Sequence, residues 1–129
     1  MQFHDPKIYT AYALVAARAT TLMKERTRMV QFLRALIRAE RYVQENQQDS
    51  IALLAKELGM DSALLKAIWS EYELNVALDP KLQSVFEDAG KWAKRAQPTL
   101  ASAPTPSYAG VIDSSVLESA RSAGSAAAK

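Results

Sequence analysis

Between Thr20 and Asn46 the chain repeats apolar side chains with the period of a helix, and this stretch constrains everything else. At about 100° per residue, Leu22, Met29, Val30, Phe32, Leu33, Leu36, Ile37 and Val43 fall on one broad side. Lys24, Gln31, Arg34, Arg38, Arg41 and Glu45 fall opposite. Three charged residues, Glu25, Arg26 and Glu40, project into the apolar arc. The period is clean only from Met29 onward, which predicts a break, with Thr20 or Thr21 capping a first short turn and Thr27 capping the main helix. The run Glu45-Asn46-Gln47-Gln48 ends it. Arg26 and Glu40 are fourteen positions apart, out of mutual reach at about 1.5 Å of rise per residue. Glu40 therefore either reaches solvent past the packed zone or meets a partner from another element. Such a helix needs a surface to rest on, because propensity alone is a weak source of stability in water.

The chain has 129 residues, the size of one domain or one domain plus a tail. Its net charge of +2 argues for no particular partner. Residues 1–47 carry eight basic and four acidic side chains, and residues 48–96 carry six and eight. Solvated helix faces produce such a split as readily as a weak anion-attracting surface does. No cysteine is present, which excludes disulfides, thiolate metal sites and a thiol nucleophile. The first residues, MQFHDPKIYT, lack the basic start and long apolar core of a secretion signal. The longest apolar run, Ala11 to Ala17, is far short of the ~20 residues of a spanning helix, so the expectation is a soluble chain with no membrane insertion.

Ile8 to Ala17 is ambiguous. Ile8, Thr10 and Tyr12 favour a strand, whereas the alanines and Asp5-Pro6 favour a helix. Apolar residues at nearly every position suggest burial on both faces, so a strand is expected in an intact fold. After the long helix, Ser50 to Leu58 places Ile51, Leu54, Ala55 and Leu58 on one side, with Asp49 or Ser50 as cap and Gly59 as the left-handed stop. Asp61 caps a third helix with Leu64, Leu65, Ile68, Trp69 and Tyr72 inward. Leu74 to Leu78 is a short apolar connector. Asp79-Pro80 starts a fourth helix, with Leu82, Val85, Phe86, Ala89 and Ala93 inward and Trp92 at the edge. Pro, Ser, Thr and Ala dominate from Gln97 to Pro106, a loop. Ser115 and Glu118 form a capping pair for a last helix through Arg121, and Gly124 to Lys129 is a small-residue tail. The reading is a mainly α fold with at most one or two short strands, organised as a helical segment over 1–96 and a Pro/Ser/Ala-rich loop, short helix and tail over 97–129.

Little in this pattern carries chemistry. His4, the one histidine, has no second ligand at metal spacing. Glu87-Asp88 is a solvated pair. Gly59, Gly90, Gly110 and Gly124 punctuate elements rather than cradle a phosphate. Trp69 and Trp92 sit beside core positions as packing residues. No catalytic, cofactor-binding or metal-ligating residue is assigned, no cofactor is expected, and the chain is read as not an enzyme. Ile51 to Trp69 has helix-turn-helix spacing, with a small Ala55, a turn Gly59 and apolar Met60, Leu65 and Ile68. Its second helix, however, sets Asp61, Glu71 and Glu73 against Lys66 alone, and DNA binding relies on several cations at phosphates. No nucleic-acid partner is expected.

The order of MVQFLRALIRAERYVQEN, IALLAKELGMD, LDPKLQSVFEDAGKWAKRA and PSYAGVIDSSVLESA resembles the carboxy-terminal part of ABC-transporter substrate-binding proteins. The type is that for nitrate, sulfonates, taurine and thiamine precursors, and the resemblance spans about Tyr9 to Ala120. It implies a helical segment of a type II periplasmic-binding-protein α/β lobe, whose long helix rests on a sheet. It also implies a periplasmic role in capturing a small anionic or organic solute for an ABC permease, by hinged closure of two lobes. A second lobe and most of the first lobe's sheet are absent from these 129 residues, so the expectation is a truncated component without a complete cleft, and no ligand-binding residue is carried over. An apolar arc without its sheet is expected to drive self-association. The reading from another class is a helical interaction module, with helix-turn-helix DNA binding as its most concrete form.

Overall fold

The computed structural model describes residues 10–125. Among them are six α-helices and no strand: α1 (Ala19–Lys24), α2 (Arg26–Glu45), α3 (Gln47–Leu58), α4 (Ser62–Ala67), α5 (Leu82–Ala96) and α6 (Ser115–Ser125). Single 3-10 turns lie at Trp69–Glu71 and Pro98–Leu100. The protein is mainly α. It divides into two compact units, the first ending at Val76 and the second beginning at Ala77. His4, Ile8, Tyr9 and 126–129 lie outside the described residues.

In the first unit the break before the long helix exists but is displaced. It falls at Glu25 (φ −121°, ψ 25°), not at Thr27. The Glu25 N–H still bonds to Thr21 O at 2.8 Å, its carbonyl accepts from Met29 N at 3.1 Å, and its carboxylate pairs with Arg28 at 3.2 Å. Glu25 thus serves both helices at once, and no threonine is needed as a cap. Arg18, not Thr20 or Thr21, precedes α1, and it makes no side-chain cap. The strand expected over Ile8 to Ala17 is not formed at 10–17, which have no regular structure and are exposed except for Tyr12. A strand must pair its backbone groups with a neighbour, and no second strand exists among the described residues.

Asn46 is the single residue between α2 and α3. Its N–H bonds to Tyr42 O at 2.8 Å, and its Nδ2 donates to the same carbonyl at 3.1 Å. Its own carbonyl accepts Ser50 N at 2.9 Å and Ser50 Oγ at 2.8 Å. Helix α3 therefore starts earlier than an Asp49 or Ser50 cap would put it, and Ser50 is buried inside it. Gly59 closes α3 at φ 63°, ψ 30°, the left-handed conformation glycine adopts without steric cost. Asp61 Oδ1 then caps α4 by accepting from Ala63 N at 2.7 Å and Leu64 N at 3.0 Å.

Ile51, Ala55 and Leu65 form the core of this unit, with Leu54, Ile68 and Trp69 packed against it. The third helix is shorter than its sequence pattern. It ends at Ala67, and Leu64 and Tyr72, expected inward, are both exposed. The chain loosens into a 3-10 turn, so residues from Trp69 on no longer follow the α-helical stripe. In the second unit Asp79 Oδ1 accepts from Lys81 N at 2.8 Å ahead of α5. Leu82 is buried, Val85, Phe86 and Ala93 are half-buried, and Ala89 is exposed. The pair expected between Ser115 and Glu118 is made instead by Ser114, whose Oγ donates to Glu118 Oε1 at 2.6 Å. Helix α6 continues past Arg121 through Gly124 to Ser125.

Candidate functional site

The principal unexplained surface is the apolar flank of α2. Its twenty residues include none that is buried. Met29, Val30, Leu33, Leu36, Ile37 and Val43 are half-buried, and Phe32 is 47% exposed. An apolar stripe on a helix this long normally faces a core. Arg34, placed by periodicity on the wet side, is half-buried, and its Nε has no hydrogen-bond partner.

Glu40 resolves in favour of a partner. Its Oε2 accepts from Val76 N at 3.3 Å, thirty-six residues away, and Gln44 Nε2 approaches Oε1 at 3.5 Å. The carboxylate thereby fixes the segment after the 3-10 turn to the C-terminal third of α2. Beside that tie lies an open groove of about 310 Å³ between the end of α2 and residues 69–75. Trp69, Tyr72, Glu73, Asn75, Gln44 and Gln47 line it with Val43 and Leu74. Periodicity assigned Trp69 and Tyr72 to packing alone. The clustering of Ser70, Glu71 and Glu73 around them was the available signal that the helix had ended.

The second unit has a comparable groove of about 360 Å³, lined by residues of α5 and by Thr105 to Ala109. Tyr108 is among the lining residues, with its ring 5.7 Å from that of Phe86 and tilted by 36°. Nearby, Lys91 Nζ donates to Asp88 Oδ1 at 2.9 Å. That hydrogen bond and the carboxylate's charge raise the Lys91 amine above its ordinary value of 10.5. The Glu87-Asp88 pair is split in role: Glu87 accepts from Gln83 Nε2 at 3.1 Å and Asp88 holds Lys91.

Among the described residues, no group of three or more His, Cys, Asp or Glu side chains is arranged to hold a metal ion. No helix among them is long and apolar enough to cross a membrane. Of the described carboxylates, those of Asp61 and Asp79 accept from backbone N–H groups at helix starts, those of Glu25 and Asp88 hold cations on helix surfaces, that of Glu40 makes the tie, and Glu73 and Glu87 line the two open grooves. What the arrangement offers is a half-buried apolar helix flank and two open grooves. Comparison with family models, with curated proteins and with solved structures finds no match to this chain.

Proposed function

We propose that the chain is a helical layer of a solute-binding lobe from an ABC importer, of the type that captures nitrate, sulfonates, taurine or thiamine precursors. Its role in that reading is to present α2 to the rest of the lobe, and it carries no complete solute cleft itself. The resemblance in the order of its segments motivates the reading. The observation that carries it is the α2 flank, a twenty-residue amphipathic helix with no buried residue. The extended Tyr72 (φ −102°, ψ 125°) and the exposed apolar segment at 10–17 add support, since both would suit positions beside a sheet. Solute capture of this kind proceeds by lobe closure without covalent chemistry, and compartment and permease partner follow from the same reading.

The test is the gene neighbourhood together with solute binding. Genes for an ABC permease and its ATPase beside this chain's gene are the expected result. This chain alone should show no thermal stabilisation by millimolar nitrate, taurine or an alkanesulfonate. A neighbourhood lacking both transport genes would overturn the reading.

One observation favours a second reading. The pair α3–α4, joined through Gly59, holds the core of Ile51, Ala55 and Leu65, the packing a helix-turn-helix requires. Against it, α4 has six residues, and Lys66 is its one cation. A salt-sensitive shift of a labelled duplex at micromolar protein would support DNA binding, and no shift at low salt would end it.

A further inference from the structure

The groove beside the Glu40 tie carries negative charge that nothing lining it balances. It lies wholly within the first unit. Its walls combine two aromatic rings, Trp69 and Tyr72, with the side chains of Gln44, Gln47, Glu73 and Asn75. Trp69 is half-buried against the core of Ile51, Ala55 and Leu65, which holds it in place. Tyr72 leaves the 3-10 turn in an extended conformation, and its N–H bonds back to Trp69 O at 3.2 Å. The bond from Val76 N to Glu40 then holds the far end of this segment to α2. Both walls are therefore set before anything binds, which lowers the ordering cost of association.

Glu73 is the one residue lining the groove that is charged at neutral pH, and it makes no ion pair among the described residues. The neighbouring Glu40 carboxylate is bonded to Val76 N and Gln44 Nε2, both neutral donors. No Lys or Arg lines the groove. On α2, Arg38 and Arg41 lie about 100° or more round the helix from the face shared by Glu40, Val43 and Gln44. The faces of Trp and Tyr rings carry the negative end of a quadrupole, which draws a cation lying over them. Carboxylates and ring faces thus act with one sign.

That sign selects the ligand. An anion is opposed by every charged group at the groove, and an uncharged sugar would suit the rings and amides but leave Glu73 without a counter-charge. A metal ion asks for several hard ligands together, and no such group exists among the described residues. The groove's volume of about 310 Å³ is at the small end for ligand pockets. The geometry points to a binding site for a small organic cation, an alkylated ammonium group seated against the rings of Trp69 and Tyr72 with Glu73 as its counter-ion. The inference makes no use of the importer reading and stands apart from it.

The test is fluorescence titration of the full chain. It has two tryptophans, and Trp92 is 63% exposed, so Trp92→Phe leaves Trp69 as the one that reports. Choline is added through the millimolar range at constant ionic strength. Neohexyl alcohol, the same shape with carbon in place of the charged nitrogen, and glucose are run beside it. Choline is expected to change Trp69 emission saturably, and the neutral analogue to bind about threefold more weakly or not at all. Tyr72→Leu and Glu73→Gln, both at exposed positions, should each weaken choline about threefold with far-UV circular dichroism unchanged. No saturable response to choline overturns the proposal. So does equal affinity for the neutral analogue, saturation by glucose in place of choline, or choline binding indifferent to both substitutions. A gene neighbourhood without transport genes, which would end the importer reading, leaves this outcome untouched.

Discussion

Gly90 lies inside α5, where glycine costs about 1 kcal/mol relative to alanine, and its neighbour explains why it is there. A Cβ at this position would stand 2.7 Å from the Tyr108 hydroxyl oxygen and 3.4 Å from the ring carbon Cε2. Tyrosine is too rigid to yield cheaply, because its ring also faces Phe86. Gly90→Ala in the wild type should therefore gain nothing, or lose stability. In a Tyr108→Phe background the same change should gain about 1 kcal/mol, read from urea denaturation midpoints. Equal effects in the two backgrounds would break the link. Gly59 and Asp61 were legible in the sequence because their signals are local: a left-handed stop and a side-chain cap act within a few residues. Tyr108 over Gly90 is not legible that way, since eighteen residues separate them.

At the level of elements, the best-packed pair is α3 with α4, and its stripe was read correctly in part. Ile51, Ala55 and Leu65 are buried as their spacing implies, but Leu64 stays exposed beside them. Leu65→Ala should cost about 3 kcal/mol, and Leu64→Ala no more than about 0.5 kcal/mol. Chemical denaturation with far-UV circular dichroism separates the two, and comparable losses would contradict this account of the core. The break before α2 was visible as a disturbed period, yet its position was not. Threonine caps are an average preference, whereas Glu25 satisfies Thr21, Met29 and Arg28 simultaneously. The expected strand at Ile8 to Ala17 failed at 10–17 for the opposite reason. Its apolar composition describes the environment it suits, and no strand exists among the described residues to provide it.

Across the whole molecule, protection is unevenly distributed. The exposed segment at 13–17 has Leu14 and Val15 at 52% and 61% exposure. Buried residues concentrate in α3, Leu65, Leu82 and α6. Local stability follows buried apolar packing, so amide hydrogen exchange should be slowest from Ile51 to Ala55 and close to the free-chain rate at 13–17. Uniform protection along the chain would show that the segment at 13–17 is covered in solution.

The joint at Asn46 has a consequence for how disturbance travels. One residue anchors the last turn of α2 through its backbone N–H and side-chain amide and the first turn of α3 through its carbonyl. Swinging α3 away from α2 would strain both sets of bonds at that residue together, so the corner behaves as a weld instead of a pivot. Whatever comes to rest on α2 is thereby felt, with little slack, by the helix that houses Ile51 and Ala55.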